Sequence, residues 1–278
     1  MGPDSGSTCR MSDTADERSP WAGMIPVDDT ELYVTDSGGS GIPVVYLNGA
    51  CANLRHWHKV AADLGTDGWR HINYDERARG RSPRSADYSF EACLRDLDAV
   101  LEATGVQRPL LAGWSYGATL ALHWAQRNSE RILAVVAVDG AMPYDWIDDD
   151  ARLRLRHLFR RMRWILPIAS RIGLAARMTA EQHAEVNIEA NELLGTLGAV
   201  IDTVHCPVRY VIATGGHLGT DAAEMLRVRA SLDPVLDRKP NVRVSARVPS
   251  NHARILRREF RAVAQAIRES AAAVDRGL

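Results

Sequence analysis

The sequence predicts an α/β fold: a mostly parallel, doubly wound sheet with a helical cap inserted after the sixth strand. Short apolar runs of strand type alternate with helical patterns over residues 21–142 and again over 205–278. This alternation is typical of a parallel sheet that carries helices on both faces. Over residues 143–204 the alternation stops and only helical patterns remain, which predicts a cap or lid. Residues 1–20 are rich in Ser, Asp, Gly and Thr, and we expect them to be disordered.

The first half of the chain is predicted to contain five strands and three helices. The strands are expected near 24–27, 32–35, 42–47, 70–74 and 110–112, and the helices near 56–64, over Phe90–Thr104 and from 118 onward. Apolar side chains recur at helical spacing through Phe90–Thr104, and Gly105 can end that helix. Gly and Ser dominate residues 36–41, which indicates a turn.

The second half continues the sheet after the cap. A buried strand is expected at 132–138, followed by cap helices at 151–178 and 179–197, with Pro167 and Gly173 interrupting the first. Strands at 208–214 and 242–248 and helices at 221–236 and 254–273 complete the core. Ligands of such sheets bind at the carboxyl ends of the strands, so we expect the site there.

Composition excludes some functions without naming one. The formal net charge is −1, which gives no overall attraction to nucleic acid or to an anionic membrane. We therefore expect no nucleic-acid partner and no stable membrane association. No signal peptide is evident in residues 1–20, and the cysteines (Cys9, Cys51, Cys93, Cys206) lack metal-binding spacing. We expect reduced thiols, a cytoplasmic location and no metal or organic cofactor.

The most informative feature is the pentapeptide Gly113-Trp114-Ser115-Tyr116-Gly117, which reads G-x-S-x-G. It lies between an apolar strand-like stretch and a helical one. A serine on such a sharp strand-to-helix turn is held in a strained conformation, with its hydroxyl exposed at a helix N-terminus. This context favours Ser115 as a nucleophile over a simple tight turn.

Three further segments follow the order of the α/β-hydrolase family, which the chain resembles from about Gly23 onward. Residues 44–50 look like its third strand and oxyanion turn, with Asn48 where the family usually has histidine. Residues 74–82 resemble its D-x-R-G-x-G-x-S loop, with Ala78 replacing a glycine. Ser250-Asn251-His252 lies where the family keeps its catalytic histidine.

The resemblance implies a catalytic base and an acid that orients it. His252 is the best candidate base, because it follows a late strand and the family order is serine, acid, histidine. His217 is a weaker rival, and we expect His123 to be a packed or surface residue.

Two aspartates compete for the role of the acid. Asp139 ends the sixth predicted strand, where some family members carry their acid, and we favour it. Asp221 follows the seventh strand, the commoner position, but it is also well placed to cap the next helix.

The resemblance also implies backbone donors and pocket residues. The N–H groups of Ala50 and Tyr116 would hold the developing oxyanion. Trp114, Trp57 and Cys51 are candidates for the substrate pocket, although the tryptophans could equally be core and Cys51 a small buried residue. We expect Asp75 and Arg77 to brace their loop by charge-assisted bonds.

The cap contains a basic segment over residues 152–164. Such a segment could contact an anionic substrate, a carrier protein or a membrane surface. We favour a lid helix with one apolar side packed down and its arginines in water, because the charge of the whole chain is balanced.

Together these residues predict a serine hydrolase that cleaves an ester, lactone or thioester of a small, largely apolar molecule through an acyl-enzyme. The nucleophilic serine argues against dehalogenase or epoxide-hydrolase chemistry, which in the family proceeds through an aspartyl ester. Two alternatives remain: a tailoring enzyme of secondary metabolism (cyclase, lyase or C–C hydrolase) using the same triad, and a hydrolase-fold ligand-binding protein with little turnover. A homodimer is possible, and the substrate is not specified.

Overall fold

The computed structural model describes residues 19–216 and 222–276, so the predictions for residues 1–18, His217 and Asp221 lie outside it. In the described residues eight strands form one sheet in the order β1-β2-β4-β3-β5-β6-β7-β8. The first three in this order pair antiparallel and the others pair parallel. The strands are β1 Trp21–Val27, β2 Thr30–Asp36, β3 Ile42–Leu47, β4 Trp69–Tyr74, β5 Leu110–Trp114, β6 Ala134–Val138, β7 Val208–Ala213 and β8 Val242–Val248. The predicted fold class is confirmed.

Helices cover both faces of the sheet. They are α1 His58–Leu64, α2 Phe90–Thr104, α3 Tyr116–Arg127, α4 Asp149–Met162, α5 Leu166–Arg171, α6 Ala180–Thr203, α7 Ala222–Ala230, α8 Asp233–Arg238, α9 Ile255–Arg258 and α10 Phe260–Asp275. Short 3₁₀ turns occupy Leu54–Trp57, Ser129–Arg131 and His252–Arg254. Within the described ranges, no helix combines the length and apolar character needed to cross a membrane.

Two apolar cores lie on opposite faces of the sheet. Side chains of α2, α3, α6 and α8 pack on one face, and those of α1 and α10 pack on the other. Strand β5 contributes side chains to both cores: Leu111 lies in the first, and Leu110 and Ala112 lie in the second. This alternation fixes the register of the central strands, and with it the edge at which their carboxyl ends meet.

Helix α2 has the bounds that the sequence predicts, because its ends are marked by local chemistry. The Ser89 side chain accepts a hydrogen bond from the Ala92 backbone N–H, and Gly105 ends the helix in a left-handed conformation at φ 62°. Two other predicted helices are split. The helix predicted over 151–178 is observed as α4 and α5, with Pro167 in the first turn of α5, and the described part of the helix predicted over 221–236 is observed as α7 and α8, with Pro234 in the first turn of α8.

The basic segment of the cap fits the expectation of a helix with one apolar side packed down and its arginines largely in water. Ala151 is buried and Leu155, Phe159 and Met162 on the same side are half-buried, and the Phe159 ring stacks on His183 of α6 at 5.6 Å between centroids. Leu153 and Leu158 on the other side are exposed. The helix is joined to α6 by ion pairs, Arg152 with Glu192 and Arg156 with Glu185. Such exposed pairs contribute little stability each, so the packing of the apolar side of α4 on α6 is the larger contribution.

Candidate active site

Ser115 lies on the turn between β5 and α3 in an uncommon backbone conformation, with φ 55° and ψ −117°. Its neighbours leave no room for larger residues. A Cβ atom at Gly113 would stand 2.2 Å from the Gly117 carbonyl oxygen, and one at Gly117 would stand 2.3 Å from the Leu47 carbonyl oxygen. The half-buried Ser115 is therefore held tightly between backbone segments, and the strain is of the kind that marks functional turns.

Asp139 and His252 meet at the same edge of the sheet. Asp139 follows β6, and its Oδ2 lies 2.9 Å from His252 Nδ1. Its Oδ1 accepts a hydrogen bond of 3.0 Å from the Ala213 backbone N–H, so both carboxylate oxygens have partners. With a carboxylate as partner, Nδ1 carries the proton and Nε2 keeps the lone pair that a base requires.

The Asp139 turn lies directly against Ser115. A Cβ atom at Gly140 would stand 2.4 Å from the Ser115 carbonyl oxygen, so only glycine permits this approach. The Trp114 ring lies 5.4 Å from the His252 ring and 5.6 Å from the His56 ring, measured between centroids. The structure thus brings Ser115, Asp139, His252 and Trp114 to one place.

His123 is a packed residue, as the sequence predicted. It is buried on α3, and its ring lies edge-on to Phe90 at 5.0 Å. Burial lowers the pKa of His123 to about 4, so it stays neutral at physiological pH. It does not take part in the Asp139–His252 pair.

The turn Asn48–Gly49–Ala50, which we call the 48–50 turn, also lies against Ser115. A Cβ atom at Gly49 would stand 3.4 Å from the Ser115 Cβ. The Ala50 carbonyl accepts a hydrogen bond of 2.8 Å from Arg79 Nε. Tyr116 is the first residue of α3, so its N–H is among those without a partner inside the helix.

A buried carboxylate fixes the start of the 48–50 turn. Glu76 accepts the Asn48 backbone N–H at 2.9 Å and the Asn48 side-chain amide at 3.0 Å. Burial raises the pKa of Glu76 to about 7, although Arg79 and the bonds from Asn48 oppose the shift. Sequence reasoning missed Glu76 and Arg79, although both lie in the loop 74–82 that resembles the family, where charged residues were a usable signal.

Two of the residues predicted to line the substrate pocket have different surroundings in the structure. Trp57 does not line a pocket: it is 0% exposed and packs on Tyr46 at 5.0 Å between ring centroids. It ends a 3₁₀ turn on the α1 face of the sheet, which directs the indole into that core. Cys51 is exposed, so the interpretation as a small buried residue is wrong. It borders a cavity of about 570 Å³ lined largely by segments 51–55, 75–81 and 170–177, which we call the cap cavity.

The bracing role predicted for Asp75 and Arg77 is confirmed. Arg77 Nε donates to Asp96 Oδ2 at 2.9 Å, and neither side chain is exposed. Asp75 accepts the backbone N–H groups of Leu54 at 2.9 Å and Arg81 at 2.8 Å. These bonds tie the loop after β4 to the chain that follows the 48–50 turn.

A family model and several known proteins match parts of this sequence. Residues 42–170 match a family model described as the alpha/beta hydrolase fold. A haloalkane dehalogenase of Mesorhizobium japonicum is 29% identical over 147 residues, 52% of this chain and 47% of that protein. The match thus spans about half the length of that relative. A rhodomycin D methylesterase of a Streptomyces species is 29% identical over 71% of this chain and 70% of its own length.

Solved structures are similar over nearly the whole chain. A thermophilic esterase of Thermogutta terrifontis has a TM-score of 0.69 at 20% identity, covering 92% of this chain and 99% of its own. The enol-lactonase of Burkholderia xenovorans has a TM-score of 0.68 at 17% identity, covering 90% of this chain and 100% of its own. At these identities the likeness concerns the fold alone.

Proposed function

We propose that the chain is a member of the α/β-hydrolase fold family and a serine hydrolase that cleaves an ester, lactone or thioester of a small molecule through an acyl-enzyme. The observation that carries the proposal is the Asp139–His252 pair, 2.9 Å between carboxylate and imidazole, beside the strained Ser115 turn. A nucleophile, an oriented base and its acid are the parts that acyl transfer requires.

In this mechanism His252 Nε2 takes the proton of the Ser115 hydroxyl as its oxygen attacks the carbonyl carbon. The backbone N–H groups of Ala50 and Tyr116 hold the negative charge on the carbonyl oxygen. The imidazolium, stabilised by Asp139, then gives its proton to the leaving group and an acyl-serine remains. Water, activated by the same imidazole, releases the acid and restores Ser115.

Two observations favour this reaction over dehalogenation, despite the haloalkane dehalogenase relative. That relative matches over about half its length, and the chain has a serine at the nucleophile turn, whereas the aspartyl-ester chemistry of dehalogenases needs a carboxylate there. The methylesterase relative matches over 71% of this chain, which supports an ester substrate. We drop the expectation of a largely apolar substrate, because arginines and other polar groups line much of the cap cavity.

The test is hydrolysis of p-nitrophenyl acetate and butyrate by the wild type, Ser115→Ala and Ser129→Ala. Ser129 is an exposed serine in a 3₁₀ turn and serves as the matched control. We expect Ser115→Ala to lose about a thousandfold or more in kcat, because the covalent route is closed, and Ser129→Ala to match the wild type. Turnover that survives Ser115→Ala would reject the proposal, and no turnover in any form would favour a ligand-binding protein.

Oxygen-18 water separates hydrolysis from the cyclase or lyase alternative. Hydrolysis of the acyl-serine places one oxygen of the solvent in the released acid, whereas cyclisation or elimination incorporates none. We expect the label in the acid product. Product without label would move the assignment to a tailoring reaction that uses the same residues.

A further inference from the structure

The cap cavity lies next to the 48–50 turn and under the end of the cap. Cys51 and Ala52, which follow that turn, form part of its wall. The end of α5 and the connection to α6 form another part, through residues 170–177. The cavity of about 570 Å³ is large enough for a small molecule, and Cys51 in its wall directly follows Ala50, the residue that would hold the oxyanion.

Arginines dominate the charged groups that line this cavity. The five are Arg55, Arg79, Arg81, Arg171 and Arg177. The acidic residue in the lining is Asp75, and both of its carboxylate oxygens already accept backbone N–H groups. Glu76 lies behind Arg79 and is held by Asn48. The cavity therefore carries a clear excess of positive charge.

No direct ion pair neutralises these arginines within the described residues, although Asp75 attracts Arg81 and Arg177, and Glu76 attracts Arg79, at longer range. None of the five guanidinium groups lies within 4.0 Å of a carboxylate oxygen there, whereas Arg152 and Arg156 on α4 both do. A chain with a net charge of −1 has enough acidic side chains to pair them. Unpaired cations gathered in one concave site focus a positive potential inside it.

Neutral groups hold three of the guanidinium groups in place. Arg79 is buried, with Nε on the Ala50 carbonyl and Nη1 on the Arg77 carbonyl at 3.1 Å. Arg177 donates to the carbonyls of Gly80 and Ser82. The Arg81 guanidinium stacks on the Tyr33 ring at 4.4 Å. Anchoring of this kind fixes position without cancelling charge, which is how binding sites for anions are built.

We propose that the cap cavity binds an anionic group of the substrate, a carboxylate or a phosphate, a few bonds away from the carbonyl that Ser115 attacks. This inference rests on the proposed function, because it assigns the substrate class of the same site. The substrate is then an anionic ester, lactone or thioester. Its charged end lies among the arginines, and its reacting carbonyl lies at the 48–50 turn.

The kinetic test compares p-nitrophenyl esters of matched chain length. One acyl chain is hexanoyl and ends in a methyl group, one is the adipic half-ester and ends in a carboxylate, and one ends in a phosphonate. We expect the wild type to prefer an anionic ester in kcat/KM at low salt and to lose that preference at high salt. The ratio between the phosphonate and carboxylate esters identifies which anion fits.

Arg55→Gln and Arg171→Gln are the variants, because both side chains are exposed and neither makes a side-chain hydrogen bond in the described structure. Each should lower kcat/KM for the preferred anionic ester about fivefold and for the hexanoyl ester less than twofold. Arg154→Gln is the control, since it removes the same charge from the cap outside this cavity. Equal losses on both esters, or an equal loss in the control, would overturn the proposal.

Calorimetric titration with inorganic phosphate and with adipate separates this proposal from the catalytic one. We expect at least one of them to bind to the wild type, and to bind about tenfold more weakly to the Arg55→Gln/Arg171→Gln double variant. If esters turn over but neither anion binds and no anionic ester is preferred, the anion site is rejected and the hydrolase stands. If an anion binds in this way but no ester turns over, the proposed function alone fails.

Discussion

Asn48 donates twice to the buried carboxylate of Glu76, through its backbone N–H at 2.9 Å and its side-chain amide at 3.0 Å. At the other end of the same turn, Arg79 donates to the Ala50 carbonyl. Two buried charges therefore hold the 48–50 turn from behind. The Asn48 side-chain amide donates to Glu76 from this position. This bond gives a local reason for asparagine at the place where the family usually has histidine.

Glu76 should make the folded state less stable as pH rises. Its pKa is raised from 4.5 to about 7 in the folded state, so the folded protein binds more protons than the unfolded chain between those values. The contribution of Glu76 to the free energy of unfolding is fully present below about pH 4.5 and is lost as pH rises through 7. The difference is on the order of 3 kcal/mol. Urea unfolding at pH 5 and pH 8 measures it.

The matched variants for this measurement are Glu76→Gln and Glu102→Gln. Glutamine has no charge to bury, so Glu76→Gln should lose the part of the pH dependence that Glu76 causes. Glu102 is exposed on α2, and its glutamine variant should follow the wild-type curve. If Glu76→Gln and the wild type showed the same change between the two pH values, Glu76 would not be the titrating group.

Asp139→Asn should abolish most activity with little loss of stability. The asparagine oxygen can still accept the Ala213 N–H, but the amide would donate to His252 Nδ1 and move the imidazole proton to Nε2. The base is then in the wrong tautomer, and kcat should fall by about 10⁴. Asp221→Asn is the control for the rival acid and should keep kcat within about twofold. Reversed results would make Asp221 the acid.

Ser115 should store measurable backbone strain. At φ 55° and ψ −117° a residue with a Cβ atom is unfavourable, and glycine is not. We expect Ser115→Gly to be about 1 kcal/mol more stable than Ser115→Ala in urea unfolding, although both lack the hydroxyl. Ser129→Gly and Ser129→Ala provide the comparison at a site without strain. A Ser115→Gly variant less stable than Ser115→Ala would argue against the strained turn.

Chemical modification of the Cys51 thiol should block the cap cavity. It is exposed beside the 48–50 turn, whereas Cys93 is buried and Cys206 half-buried. Among the three cysteines of the described residues we expect N-ethylmaleimide to label Cys51 first, and we expect this adduct to lower ester hydrolysis about tenfold or more, because it fills space next to the reacting carbonyl. Cys51→Ser should keep its activity after the same treatment. Inhibition that persists in Cys51→Ser would place the sensitive thiol elsewhere.

Patterns that are local in sequence predicted the fold, and they favoured Asp139 as the partner of His252 while leaving Asp221 open. The carboxyl ends of parallel strands meet at one edge, so residues that follow β6, β7 and β8 were all expected there, and this rule alone does not choose between the two aspartates. The face taken by Trp57 was not predictable, because a short apolar turn carries no periodicity that distinguishes core from pocket. Glu76 was missed because its role depends on burial against Asn48, which lies 28 residues away in the chain.

Labelling with a fluorophosphonate probe, followed by mass spectrometry of the modified peptide, tests the central claim most directly. We expect a single adduct on Ser115 in the wild type and in Asp221→Asn, and slow or no labelling in Asp139→Asn, because an activated serine needs a correctly oriented His252. A folded wild type that is not labelled, or is labelled at another residue, would contradict the assignment of Ser115 as the nucleophile of a serine hydrolase.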